Sequence, residues 1–261
     1  MSEGYTILSR LRPVAMGAVM SLLAACANLA EQPTDAATAD PIEPFNRYVF
    51  ELNRFGDEFA AKPLAMMYRS LVPGPARESV GNALVNLRLP WTAVNDVMQG
   101  EFERAGQAAA RFALNSTFGF FGLFDMAKDV GFQHHDEDFG QTLGAWGASG
   151  DPYLMLPLFG PSSPRDAIGQ FVDGAADPVT TIAQGGYGWG RGNGFTGTRA
   201  ALGFLSGRER TLEALAELER GQDYYAAVRS AYRQRRAAEI RNDRINDRTI
   251  PPRWRFGADM D

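Results

Sequence analysis

The chain has 261 residues and 45% hydrophobic content, so it can bury a substantial core as one large domain or two small ones. Its formal net charge is −5, and this acidic balance excludes a cationic nucleic-acid binder, so no nucleic-acid partner is expected. The single cysteine, Cys26, excludes an internal disulfide framework.

The first thirty residues indicate export and lipidation. Arg10 and Arg12 precede an uncharged apolar run over 14–25, and a run of about 12 residues is shorter than the roughly 20 that a membrane-spanning helix needs. The run ends in Leu-Ala-Ala followed by Cys26, the form of a lipoprotein signal box. We predict that residues 1–25 are a signal peptide and that acyl chains on Cys26 anchor the protein. The alternative is a small buried cysteine near an ordinary cleavage site.

The residues that follow the cysteine predict its destination. Ala27 stands where an Asp is the usual mark for retention in the inner membrane, which favours a lipid anchor in the outer membrane, on its periplasmic face. Residues 26–41 are small, polar and contain proline, with almost no apolar surface to bury. We expect them to form a tether.

From Pro44 onward the apolar residues recur at helical spacing, and strand-like alternation is nearly absent, so the sequence predicts an all-α fold. The first amphipathic helix is expected to end before Pro63. Two more helices are predicted over about 76–88, closed by Pro90, and over about 101–115. The first helix carries an apolar stripe made of Phe45, Tyr48, Val49, Leu52, Phe55 and Phe59.

Breaks rich in glycine, proline and aromatic residues separate the helices, notably over 118–124 and 153–160. Each is too short to span lipid. Such clusters are either turns of the core or, beside a lipid anchor, aromatic contacts at the level of the headgroups. Residues 185–197 are dense in glycine and predict a flexible or tightly turning loop.

The C-terminal region, 207–261, is rich in arginine and is predicted to form a long charged helix over about 207–248, followed by a tail. Its arginines are either an ordinary solvated surface or a face toward anionic lipid or a partner. The arginines concerned are Arg229, Arg233, Arg235 and Arg236.

Catalytic and metal-binding patterns are weak. His134 and His135 stand beside three acids, but adjacent histidines point to different faces of a helix, so a helix N-terminus capped near Asp138 is the better interpretation. Ser162 and Ser163 fit a turn followed by a helix start. Neither a nucleophile elbow nor a phosphate-binding lysine loop is visible, and the glycines of 192–197 lack the strand that a dinucleotide site needs. We expect no enzyme, no metal and no cofactor.

Several long ungapped stretches of this chain match one known family. They are Pro44-Phe45-Asn46-Arg47, Lys62-Pro63-Leu64-Ala65, residues 111–117 (RFALNST), residues 137–147 (EDFGQTLGAWG) and residues 152–166 (PYLMLPLFGPSSPRD). In these stretches, within about 40–180, the chain resembles the MlaA family, also called VacJ lipoproteins.

The resemblance implies an outer-membrane lipoprotein of the system that maintains lipid asymmetry. Its helices, over residues 42–206 here, are implied to form a ring in the inner leaflet around an amphipathic channel, often bound to a trimeric porin. Such a channel takes misplaced phospholipids from the outer leaflet and passes them to a periplasmic lipid-binding protein, without covalent chemistry. Candidate channel or headgroup contacts are Phe45, Asn46, Arg47, Asn53, Asp136 and Asp138.

Two other functions remain open from the residues alone. A structural lipoprotein could scaffold porins or envelope complexes through the 207–248 helix, without lipid passage. A lipid hydrolase would need an activated nucleophile, and none is visible.

Overall fold

The computed structural model describes residues 40–183 and 194–242, and this part of the chain is predominantly helical. The prediction of an all-α fold is confirmed, with one small antiparallel sheet that the sequence did not reveal. The elements are α1 (Glu43–Gly56), a π-helical segment (Asp57–Ala61), α2 (Lys62–Leu71), α3 (Gly74–Asn86), α4 (Leu89–Gln99), α5 (Phe102–Thr117), α6 (Met126–Asp129), α7 (Phe139–Ala145), β1 (Leu154–Leu156), β2 (Gly160–Ser162), α8 (Pro164–Ala176), α9 (Pro178–Ala183), α10 (Gly194–Arg210), α11 (Leu212–Glu219) and α12 (Tyr224–Ile240).

The α-helical geometry of α1 ends at Gly56, before Pro63 as predicted, but the chain does not leave helical geometry there. A proline inside an α-helix clashes with the carbonyl four residues before it and removes a hydrogen bond. Here the π-helical segment precedes it, and the Lys62 N–H donates to the Asp57 carbonyl five residues back. Pro63 then occupies the first turn of α2, where no N–H is required. The helical path therefore continues from Glu43 to Leu71.

Helix starts follow the predicted caps. Asp138 precedes α7 and accepts a hydrogen bond from the Gln141 N–H at 2.8 Å. Ser163 precedes α8 and its hydroxyl accepts from the Asp166 N–H at 3.1 Å. Both predictions of a helix start are confirmed, because each side chain satisfies a backbone donor that has no partner within the helix.

The predicted single helix over 207–248 is wrong in the part that the structure describes. The chain leaves helical geometry at Thr211 and again before α12, where Asp223 caps the new helix by accepting from the Ala226 N–H. Residues beyond 242 lie outside the described part. The predicted loop over 185–197 is corrected at its end, because Gly194–Gly197 already belong to α10, while 184–193 lie outside the described residues.

A small aromatic core joins α1, β1 and α12. Val49 and Phe50 pack with Tyr153, Met155 and Tyr225, and all five are buried. Only two members come from α1, and only Val49 belongs to the apolar stripe predicted there. The rest of that stripe, Phe45, Tyr48, Leu52, Phe55 and Phe59, is exposed.

Candidate functional site

In the described residues, many polar side chains are buried and many large apolar side chains are exposed, which is the reverse of a water-soluble domain. The buried set contains more polar and charged side chains than apolar ones, including Asn46, Asp96, Arg111 and Glu137. Many large apolar side chains are exposed instead, on α1, α2, the 118–124 turns and the sheet hairpin. Contiguous exposed apolar surface of this kind marks contact with a membrane or a partner. In residues 40–183 and 194–242, helices fall short of the length and apolar content needed to cross a bilayer.

The aromatic turn, residues 118–124, presents its phenylalanines outward. Phe121 is 78% exposed, and Phe118, Phe120 and Phe124 are also exposed. Phe120 and Phe121 have φ values of 50° and 60°, a left-handed conformation that is uncommon for large side chains. This conformation persists only where surrounding contacts determine it. Of the two interpretations left open for this cluster, the outward aromatic contact fits the geometry.

A buried ion pair at the base fixes the aromatic turn. Arg111 on α5 is almost fully buried, and its Nη2 lies 2.8 Å from both carboxylate oxygens of Asp125. Asn115 donates to Asp125 at 2.9 Å and accepts from the Ala127 N–H at 2.8 Å. Burial works to raise the pKa of Asp125, but hydrogen bonds from Asn115 and Arg111 outweigh it and lower that pKa.

The second aromatic cluster, 153–160, divides between core and surface. Tyr153 and Met155 are buried, whereas Leu158 and Phe159 at the hairpin turn are exposed, Leu158 by 90%. Strand β1 pairs with β2 so that Leu156 faces Gly160, which places the turn between them. One part of the cluster therefore belongs to the core and the other reaches outward.

An amphipathic cleft of about 540 Å³ lies beside this hairpin turn. The second half of α1, the π-helical segment, the start of α2, the hairpin and helices α10, α11 and α12 surround it. Its walls combine apolar side chains such as Leu64, Phe204 and Leu215 with the charged Lys62 and Arg208. Its size falls within the roughly 300–1,000 Å³ of small-molecule sites, and its mixed lining suits an amphipathic ligand.

Arg208 connects the C-terminal helices to the π-helical segment. Its Nε and Nη2 donate to the two carboxylate oxygens of Asp57 at 2.5 and 2.7 Å. The hydrogen bond with Asp57 and its charge raise the pKa of Arg208, so the guanidinium stays charged. Arg208, Asp57 and Lys62 are not among the contacts predicted from the sequence, although Lys62 lies in one of the stretches that resemble the family.

A second charged cluster fixes α12 against the starts of α7 and α8. Arg236 donates to Asp138 at 2.8 and 2.7 Å and to Asp166 at 2.9 Å, and Tyr232 also donates to Asp166. Burial works to raise the pKa of Asp138 and of Asp166, but the hydrogen bonds from Arg236 outweigh it and lower both. Arg236 is therefore not part of a free basic face.

The six predicted contact residues lie in different surroundings. Phe45 is exposed on α1. Asn46 is fully buried and Asn53 is partly buried, and both amides bind the backbone of the hairpin. Arg47 donates to Glu43 and to Asp223 at the start of α12.

The two acidic candidates lie on the segment before α7. Asp136 is about half exposed and lies 3.5 Å from His134 and 4.0 Å from Arg88. Burial works to raise the pKa of Asp136, but His134 and Arg88 bring it to about 2. Asp138 is committed to the helix cap and to Arg236.

Of the six candidates, only Asn53 lines the cleft. The amide of Asn46 is buried and bonded to backbone, so in this structure it supports the hairpin, and its contact with lipid stays a prediction. Cys26 lies outside the described residues. Within those residues, no group of three His, Cys, Asp or Glu side chains could hold a metal ion.

The chain is similar in sequence to one known protein family and to several of its members. The MlaA lipoprotein family model matches residues 38–239. The chain is 32% identical over 231 residues to the intermembrane phospholipid transport system lipoprotein MlaA of Escherichia coli (strain K12), covering 87% of this chain and 86% of that relative. It is 31% identical over 203 residues to an uncharacterized protein of Rickettsia typhi, covering 77% and 78%.

A solved structure is also similar. It comes from work on the structural basis for maintenance of bacterial outer membrane lipid asymmetry, and it matches with a TM-score of 0.67 at 30% identity. The match covers 77% of this chain and 99% of that chain.

Proposed function

Since this chain belongs to the MlaA lipoprotein family, we propose that it moves phospholipid between membranes and thereby maintains the lipid asymmetry of the outer membrane. The resemblance to this family that the sequence indicated is confirmed. The relative in Escherichia coli is named as a lipoprotein of an intermembrane phospholipid transport system, which supports phospholipid as the cargo. The similar solved structure concerns outer membrane lipid asymmetry, which supports the proposed role in maintaining it.

One observation supports this function most strongly: exposed apolar side chains surround a part of the chain whose interior is polar and charged. A water-soluble scaffold gains nothing from that arrangement, because exposed apolar surface promotes aggregation. A protein seated in one leaflet is stabilised by it, because aromatic side chains favour the headgroup level. The outward aromatic turn and the exposed Leu158 and Phe159 supply such contacts.

The cost of exposing acyl chains explains why a sheltered path is needed. Exposing the about 30 methylenes of two acyl chains to water costs a free energy on the order of 20–25 kcal/mol, at about 0.8 kcal/mol per methylene. The same path has to accept a charged headgroup, since a buried charge without a partner is costly. The amphipathic cleft offers both kinds of lining, and we propose that it is part of the lipid path.

The cellular setting forms part of the proposal. Residues 1–25 direct export, acylated Cys26 and the tether 26–41 hold the protein on the periplasmic face of the outer membrane, and residues 42–206 form the ring. A trimeric porin binds the ring in the membrane, and a periplasmic lipid-binding protein receives the phospholipid. The transfer is passive and uses neither covalent chemistry nor a cofactor.

Deleting the gene and measuring phospholipid in the outer leaflet tests this function. Labelling phosphatidylethanolamine on whole cells with an amine reagent that does not cross membranes should give a higher signal, and the wild-type gene should reverse it. An unchanged signal would refute lipid passage and leave the scaffold function. Incubating the purified protein with phospholipid should release no lysophospholipid, whereas its appearance would indicate a hydrolase.

A further inference from the structure

We propose that Lys62 and Arg208 form a phosphate-binding subsite in the amphipathic cleft, which holds the phosphodiester of a phospholipid headgroup. This inference rests on the proposed function. Lys62 is the first residue of α2, directly after the π-helical segment, and Arg208 lies in the last turn of α10. Both side chains line the same cleft although 146 positions separate them along the chain (208 minus 62).

Arg208 has spare capacity to donate hydrogen bonds. Its side chain is only 10% exposed, and Asp57 accepts from Nε and Nη2. The remaining nitrogen, Nη1, is buried and has no hydrogen-bond partner among the residues that the structure describes. A buried donor on a charged group is costly to leave unpaired, so such an atom requires an explanation. An anionic oxygen in the cleft satisfies it, because a guanidinium matches the geometry of phosphate oxygens.

Lys62 adds a positive charge that lacks an ion pair. Its side chain is of intermediate exposure, and within the described residues no carboxylate oxygen lies within 4.0 Å of its ammonium. Among the other lining charges, Arg208 is paired with Asp57, and Arg54 lies 3.6 Å from Glu58 and 3.9 Å from Glu219. Among the described lining residues, Lys62 is therefore the base that no carboxylate pairs directly, and a phosphate group can bind its ammonium without breaking an ion pair.

The apolar lining identifies the source of the phosphate. Leu64, Phe159, Phe204, Leu212 and Leu215 line the same cleft as the two cations. A free phosphate ion gains nothing from these side chains, whereas acyl chains on the same phosphodiester bury apolar surface against them. A phospholipid and a free phosphate ion share the anionic phosphate oxygens, and the apolar lining assigns the site to the lipid.

The two lysines of the chain allow a direct test with an internal control. Lys128 is exposed on α6 and does not line the cleft, so it reports nonspecific effects on the same molecule. The full lipidated protein in maltoside micelles is acetylated with an amine reagent, and the modification at Lys62 and Lys128 is followed by mass spectrometry. Phosphatidylglycerol, which has no primary amine to react with the reagent, diacylglycerol or inorganic phosphate is added in separate arms.

Phosphatidylglycerol at about ten times its Kd should slow acetylation of Lys62 about tenfold, because only free sites react. Lys128 should be unaffected, and diacylglycerol and inorganic phosphate should not protect Lys62. Equal protection by diacylglycerol would overturn the phosphate assignment, and protection by inorganic phosphate at the same concentration would overturn the lipid assignment. Lack of protection in every arm would also refute the subsite.

A matched pair of variants extends this test. Lys62→Gln should weaken retention of phosphatidylglycerol about tenfold, which corresponds to about 1.4 kcal/mol. Lys62→Arg should retain most of the binding, and Lys128→Gln should leave it unchanged. Equal retention by Lys62→Gln and the wild type would contradict the subsite. If these tests fail but deletion of the gene still raises outer-leaflet phospholipid, only the subsite is refuted and the proposed function stands.

Discussion

Replacing Asn46 by alanine tests whether α1 holds the hairpin through side-chain amides. Asn46 and Asn53 lie seven residues apart on α1 and each forms a matching pair of bonds with the hairpin backbone. Asn46 donates to the Tyr153 carbonyl at 3.0 Å and accepts from the Met155 N–H at 2.9 Å, and it also donates to Asp40 Oδ1 at 3.0 Å. Asn53 makes the same contacts further along the hairpin, at 2.9 and 2.8 Å.

The expected loss follows from the burial of the backbone partners. Tyr153 and Met155 are buried, so Asn46→Ala leaves a carbonyl and an N–H without partners, at about 1–3 kcal/mol each. The free energy of unfolding should therefore fall by about 4 kcal/mol. Asn53 is the matched control, because its partners Leu156 and Leu158 are not buried, and at the headgroup level water can replace the amide. Asn53→Ala should cost roughly 1 kcal/mol.

Urea denaturation in maltoside micelles measures both changes, with the free energy taken from the midpoint and slope. Hydrogen exchange of the peptide over 153–158 locates the effect, and the Met155 amide should lose protection in Asn46→Ala. Equal losses in the two variants, or an unchanged exchange rate at Met155, would refute the reasoning. The first outcome would mean that burial does not set the cost, and the second that the amide bond does not hold the hairpin.

Three further changes have defined outcomes. Cys26→Ala should release the protein from membranes after a carbonate wash, and unchanged partitioning would mean that the helical body alone holds the bilayer. Phe121→Ser should weaken binding to phosphatidylethanolamine vesicles about tenfold, because moving an exposed phenylalanine from water into lipid is favourable by roughly 1.5–3 kcal/mol. Sedimentation with vesicles measures the binding. The lowered pKa values of Asp138 and Asp166 give stability that is complete above their ordinary pKa of 3.8 and is lost as pH falls through the lowered values. Arg236→Gln should cost about 3–5 kcal/mol and move the acid unfolding seen by circular dichroism to higher pH, and an unmoved transition would contradict this linkage.

Local features of the sequence determined the helical class and several boundaries. The 3.6-residue spacing predicted α3 and α5 close to their observed bounds. The caps at Asp138 and Ser163 followed from short polar side chains before helical runs, because such side chains satisfy the free N–H groups of the first turn. These features depend on neighbours within a few residues, which a sequence displays directly.

Periodicity could not decide which side of a helix is covered. The apolar stripe of α1 was visible, but Val49 is buried whereas Phe55 and Phe59 are exposed. The choice depends on β1 and α12, which pack on the face that includes Val49 and Phe50. The stripe therefore predicted an amphipathic helix and left open whether its apolar side meets a core or a membrane.

Only the tertiary structure decided the roles of the polar residues. Asn46 has a polar amide of the kind expected in a channel, yet this amide hydrogen-bonds to the backbone of a hairpin more than 100 positions away. Arg208 and Asp57 pair across 151 positions, and their meeting creates one wall of the cleft beside Lys62. Such pairings depend on where distant segments pack, because an amide or a guanidinium binds whatever partner the fold brings within about 3 Å of it.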